Sequence, residues 1–201
     1  MNTKFFLGLT FYPDNSFSKK IESFRSRFDI KFQTNPYLHL PIVPPFEIEV
    51  AEVKKLKQEL IEELDSFFFE NLSHHILNFT GIDINEHKKK KILYLNPSLN
   101  EELSLCQESV FSICQSYISD REKKMKESSK KTFLTIGRFQ DPLELHSAID
   151  LAKKEFSEFT GLAFESICLF SKSNGIWYRE ADLITFEKPD MSFLQSNNPI
   201  V

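Results

Sequence analysis

Two stretches of the chain hold side chains able to do chemistry, Tyr37-Leu-His-Leu-Pro-Ile-Val-Pro-Pro-Phe46 and Thr132-Phe-Leu-Thr-Ile-Gly-Arg-Phe139. The first carries His39, a residue that titrates near neutral pH and can act as acid or base. The second carries the hydroxyl of Thr135 and, three residues on, the guanidinium of Arg138, whose planar fork suits a phosphate. Each has a plainer reading. His39 taken alone fits a histidine packed inward against a backbone partner, Thr135 an ordinary β-branched strand residue, and Arg138 a solvated strand end. His74 and His75 begin a predicted strand, where adjacent side chains point to opposite faces, so they make a poor metal pair. His87 falls in a charged hairpin tip and His146 on a helix. No His, Cys, Asp or Glu cluster has ligand spacing, so neither a metal nor a cofactor is expected.

The elements that must position these residues repeat along the chain. Lys4 to Phe11 is a compact apolar run rich in strand formers. It resembles a weak signal peptide, but it is short, ends in Tyr12-Pro13 and lacks a small-residue cleavage site, so it reads as a first strand. Asp14-Asn-Ser16 supplies cap residues for a helix with Phe17, Ile21, Phe24 and Phe28 on one face. An extended stretch from Asn35 to Leu40 carries His39, and Pro41, Pro44 and Pro45 are expected to stop it. A helix follows on Val53, Leu56, Leu60, Leu64 and Phe67. The second half runs in the same order: strand Lys91 to Leu95, a helical stripe of Leu103, Cys106, Val110, Ile113 and Tyr117, a polar stretch from Ser119 to Lys131, the strand Phe133 to Ile136, and a helix on Leu145, Ile149, Ala152, Phe156 and Phe159. Strand pairs come after the later helix of each half, His75 to Ile84 with Lys90 to Leu95, and Phe164 to Phe170 with Ala181 to Phe186. Helices laid on largely antiparallel sheet imply an α+β architecture with approximate internal two-fold symmetry. His39 and Phe133 then fall on equivalent strands and are expected to face one another across a groove.

With "HLPIVPPF" and "TFLTIGRF" in equivalent places, and "KKKILYLNPSL" as the middle strand, the chain resembles the two-histidine (2H) phosphoesterase superfamily. That superfamily includes 2'-5' RNA ligase-like proteins and cyclic phosphodiesterases, and its signature is His-x-Thr written twice. The resemblance runs from Phe5 to about Phe186. It implies a single two-lobed domain over residues 1–187, with helices on the outer faces of two pseudo-symmetric lobes, and a tail over 188–201. It also implies that one histidine acts as base and the other as acid on a phosphodiester, while the threonine hydroxyls hold phosphoryl oxygens. Carried over position by position, His39 and Thr135 are the catalytic remnants, and Thr135 and Arg138 the phosphate binders. Phe133 stands where the second histidine belongs and Pro41 where the first threonine belongs. Phenylalanine can neither titrate nor hydrogen-bond. General acid–base help is worth about 10²- to 10⁴-fold in rate, so the loss at Phe133 removes most of the expected turnover. The expectation is a divergent protein with hydrolysis impaired or lost, whose groove retains binding of a nucleotide or RNA-end phosphate. Two alternatives stay open: a working phosphoesterase using His39 with a substitute acid, and a non-catalytic interaction module in which Phe133 fills the old site.

Bulk properties bound this reading. A chain of 201 residues with 41% hydrophobic content buries a sizeable core without disulfide or metal. Its 21 phenylalanines against 5 glycines suggest a packed interior with few glycine-dependent phosphate loops, and no GxGxxG or Walker-type run is present. A net charge of −4 gives no overall attraction for nucleic acid, so contact with RNA needs a local basic patch, and DNA is not an expected partner. Two basic runs exist, Lys88 to Lys91 and Arg121 to Lys131; the plain reading for both is a solvated loop, though the second leads into Phe133. Cys106, Cys114 and Cys168 form no paired framework and read as inert core thiols of a reducing compartment. No segment approaches the roughly 20 apolar residues needed to cross a bilayer. The expectation is a cytoplasmic monomer without membrane contact.

Overall fold

The apolar run near the start folds into β1 (Asn2–Phe11), and every residue from Phe5 to Phe11 is buried. Burial on both faces belongs to a strand inside a sheet with material packed above and below. β1 meets that condition, pairing antiparallel with β2 (His39–Glu49) on one side and β6 (Leu162–Ser173) on the other. The computed structural model describes residues 2–71, 76–87, 90–99, 101–118, 132–157 and 161–189. His74, His75, Lys88, Lys89, the run Arg121 to Lys131, Phe159 and the tail from residue 190 lie outside the described residues.

The remaining strands are β3 (Ile76–His87), β4 (Lys90–Ser98), β5 (Leu134–Phe139) and β7 (Ile176–Thr185). All seven join one sheet in the order β2-β1-β6-β3-β4-β5, with β7 added along β6, and each strand pairing is antiparallel. Among the described residues the α-helices are α1 (Ser16–Phe28), α2 (Val53–Asn71), α3 (Glu101–Ser116) and α4 (Pro142–Glu155). The architecture is α+β with a mostly antiparallel sheet, as the element pattern implies.

Local chemistry explains the helix starts. The Asn15 side chain accepts from the amides of Phe17 (2.7 Å) and Ser18 (3.3 Å), satisfying two donors that the first turn of α1 leaves without helical partners. Asp141 caps α4 through Leu143 N at 2.9 Å, and Pro142 occupies the first turn, where its missing N–H costs nothing. The buried faces fall at helical spacing: Leu56, Leu60 and Leu64 on α2, Leu145, Ala148 and Ala152 on α4. On α3 the stripe runs Leu103, Cys106, Val110 and Cys114 and ends on Ile118, while Ile113 and Tyr117 are only half-buried. The expected stripe drifted one position because 3.6 residues per turn favours a step of four after Val110.

One expectation fails. Pro41, Pro44 and Pro45 do not stop the strand that begins at His39; β2 runs through all three to Glu49. β2 is the outermost strand of the sheet and pairs only with β1, so prolines are accommodated on its free edge and at the register shifts between Phe5 and Gly8 of the partner.

The pairing pattern repeats about the middle of the sheet. β2-β1-β6 mirrors β5-β4-β3, and the two triplets meet through a short seam, Ile76 opposite Ala163 and Leu77 opposite Leu162. Each early helix then crosses to the other half: α1 packs against β5, and α3 against β2. The outer strands β2 and β5 also contact each other, so the curved sheet brings its two ends together. The termini of those two strands are where the chemistry-bearing residues lie.

Candidate functional site

His39 opens β2 directly opposite Thr10 of β1, and side chains of facing residues share a face of the sheet. The imidazole packs at 4.8 Å from the Phe6 ring and 5.6 Å from Phe170, with Tyr37 and Trp177 extending this aromatic patch. Room for it comes from Gly8: a Cβ there would sit 3.3 Å from the His39 Cβ and about as close to the rings of Phe6 and Phe170. Nδ1 lies 2.8 Å from the Tyr37 carbonyl oxygen, which can only accept, so Nδ1 carries the proton. Nε2 then holds the lone pair and makes no hydrogen bond to a described residue. Burial first, and then the positive charges of Arg25 and Arg138, hold the pKa of His39 down at about 3 against the opposing effects of the Tyr37 carbonyl and Asp29. The ring is neutral throughout the physiological range.

The two arginines belong to a buried charge cluster that joins the halves. Arg138 on β5 donates from Nη1 to Asp29 Oδ2 at 2.6 Å, and Arg25 Nη2 lies 3.5 Å from the same oxygen. Asp29 follows α1, and a bridge pairs its backbone with Arg138. Arg25 is only 2% exposed; its Nη2 donates to Asn35 O at 2.7 Å, while Nε and Nη1 have no partner among the described residues. Two guanidiniums share the Asp29 carboxylate, the Glu22 carboxylate acts on Arg25 as well, and the charges of Arg25, Arg138 and Asp29 are all felt at His39. The Arg138 side chain is the solvent-facing member, 20% exposed.

A second network lies on the other side of His39. The Thr10 hydroxyl is 2.8 Å from Ser166 Oγ and 3.1 Å from Glu165 Oε2; Arg179 donates to Glu165 Oε2 (3.0 Å), Asp182 Oδ1 (2.8 Å) and Ser166 Oγ (2.9 Å). Its donors and acceptors satisfy one another, so it ties β1, β6 and β7 together rather than offering free groups to a ligand.

In the other half, Thr135 faces Tyr94 across β4 and β5 and is half-buried, and Arg138 faces Ile92 two ladder positions along. Phe133, just before β5, stacks on Tyr94 with centroids 4.5 Å apart. Phe133 makes no ring contact with His39: each ring belongs to the aromatic group of its own half-sheet. Thr132 is tied to the far edge, since Gln107 Nε2 donates both to its hydroxyl (2.7 Å) and to the Ile42 carbonyl of β2 (3.0 Å).

The structure thus brings His39 and Arg138 into one electrostatic environment, places Thr135 on the strand that carries Arg138, and sets Pro41 opposite Gly8. Sequence reasoning missed Arg25, Asp29, Thr10, Ser166 and Arg179. One signal was available for the first two: Arg25 stands four residues after Ile21 on the apolar stripe of α1, and Asp29 four after Arg25, so a charged pair at helical spacing had to be buried. Cys106, Cys114 and Cys168 are buried free thiols, and burial pushes Cys106 and Cys168 up to about 12. No described helix is long and apolar enough to cross a membrane. The chain matches no protein-family model and no curated protein at a significant level.

Proposed function

We propose that this chain is a divergent protein of the two-histidine phosphoesterase type, which binds the phosphate of a nucleotide or RNA end between β2 and β5 and has lost most or all of its phosphodiester hydrolysis. The observation that supports the reading is that the charge of Arg138, from one half, is felt at His39, from the other, on outer strands that are equivalent in the repeated pairing pattern and contact each other. A neutral imidazole with a free Nε2 lone pair is a proton acceptor. Arg138, the solvent-facing member of the Arg25–Asp29–Arg138 cluster, supplies the guanidinium that an anion requires. An arriving phosphate brings negative charge beside His39 and raises its basicity. What is missing is the proton donor on the opposite side, because Phe133 holds that position. With base and electrostatics retained but no acid, binding outlasts turnover.

The experiment is a titration with 2',3'-cyclic nucleotides, following heat of binding and product formation on the same sample. Saturable binding with little or no turnover, weakened by His39→Ala and by Arg138→Gln, is the expected result. Robust turnover abolished by His39→Ala shifts the reading to an active enzyme with a substitute acid. Absence of binding to any phosphate ligand removes the reading altogether.

A further inference from the structure

Phe133 does not plug the place it occupies. It is partly buried and walls an open cavity of about 640 Å³ on the face of β3 and β4, together with Tyr94, Asp83, Asn85, Asn96 and Thr132. That volume lies in the range of small-molecule sites. Asp83 faces Tyr94 and Gly81 faces Asn96 in the β3–β4 register, and a Cβ at Gly81 would meet nothing, so this face is open toward solvent. Among the described residues, the lining has the aromatic pair Phe133 and Tyr94, two side-chain amides and the carboxylates of Asp83 and Glu86, with no lysine or arginine. Glu86 is already paired with Lys91 at 3.3 Å. Asp83 accepts the Tyr94 hydroxyl on Oδ2 at 3.2 Å and its neighbour's amide on Oδ1 at 2.7 Å, so each oxygen keeps a lone pair.

A flat ring with adjacent N–H donors fits such a wall. Every base offers a π-face to stack on Phe133, but a carboxylate can only accept, and guanine presents two neighbouring N–H donors on its pairing edge, matching two oxygens. We infer that this cavity binds the guanine base of a nucleotide, with Phe133 as the stacking ring and Asp83 as the acceptor that selects guanine over uracil. The inference rests on the nucleotide reading of the groove and adds to it the identity of the base. It gives Phe133 a role of its own: the ring that removed the second histidine supplies a stacking surface. Thr135 faces Tyr94 in the β4–β5 register, next to this wall.

Calorimetric titration of the full chain with guanosine, 3'-GMP, 3'-UMP and inorganic phosphate tests this. 3'-GMP is expected to bind about tenfold or more tightly than 3'-UMP, as one well-matched polar edge commands. Phe133→Ala is expected to weaken 3'-GMP by about 5- to 100-fold, the value of one base–aromatic stack, and Phe133→Trp to preserve it. Asp83→Asn is expected to bring the ratio of 3'-GMP to 3'-UMP affinity down to about one. Asp83 is exposed and Phe133 only partly buried, and thermal melting confirms that the variants fold. Equal affinity for 3'-GMP, 3'-UMP and inorganic phosphate overturns the base site and leaves the phosphate groove standing. Guanosine bound as tightly as 3'-GMP keeps the base site and sinks the phosphate reading. No binding to any of the four overturns both.

Discussion

At the scale of single residues, the telling feature is a histidine held neutral. An unfolded chain protonates His39 near its ordinary value of 6.5, whereas in the folded protein burial pushes it down to about 3. Because the folded pKa is depressed for a group that is charged below it, the unfolded state binds more protons at every pH between those values. The stability associated with this residue is therefore full above 6.5 and is lost as pH falls toward 3. The loss reaches up to about 1.4 kcal/mol per pH unit, less whatever solvent access relieves. His39→Phe is expected to flatten this part of the profile: urea midpoints of wild type and variant, measured from pH 8 to 4.5, should run parallel above pH 7, and below 6 the wild type should fall relative to the variant. Parallel curves throughout would mean that the imidazole is solvated. His39 and Thr135 were legible in the sequence because residue type and strand placement are local. The carbonyl of Tyr37 and the rings of Phe6 and Phe170, which decide the protonation state, were not, since Phe170 is brought to His39 only by the pairing of β1 with β6.

Among the elements, α1 illustrates how much a helix end can fasten. Its start is set by Asn15, and its far end delivers Arg25 and Asp29 to β5, whose free edge is covered by the segment after the helix through Ile30 N to Arg138 O at 3.4 Å. Asp29→Ala leaves two guanidiniums without their shared carboxylate, one of them almost fully buried. Removing one partner from a buried ion pair costs about 3 to 5 kcal/mol, and the variant is expected to lose that much by chemical denaturation. A loss under about 1 kcal/mol, the size typical of exposed pairs, would show that water already penetrates the cluster. The order of helices and strands was legible because apolar periodicity and capping residues report on neighbours in sequence. The passage of β2 through Pro41, Pro44 and Pro45 was not. Proline forbids a central strand and tolerates an edge, and edge position is a property of the assembled sheet.

For the whole molecule, the exchange of helices between halves matters most. With α1 on β5, α3 on β2 and a single sheet through the seam of β3 and β6, neither half closes a core by itself. Unfolding is expected to be one cooperative transition, with the fluorescence of Trp177 and far-UV circular dichroism coinciding in urea; separated curves would show that the halves melt independently. The same symmetry sets the most demanding prediction. Phe133→His with Pro41→Thr rebuilds both His-x-Thr motifs, one in each half, and is expected to raise hydrolysis of 2',3'-cyclic phosphates above the wild-type level. Phe133→His alone is expected to gain less, because the hydroxyl at Pro41 is still absent. The structure lowers the folding risk at both positions. Phe133 is only partly buried, so an imidazole there keeps contact with water instead of entering an apolar pocket unpartnered, and Pro41 lies on the outermost strand, where a threonine N–H can face solvent. The gain requires that the two halves still hold the rebuilt side chains on opposite sides of one phosphorus. A folded, monodisperse double variant without activity on any cyclic phosphate would show that the halves have moved apart from that geometry, leaving the groove as a binding surface alone.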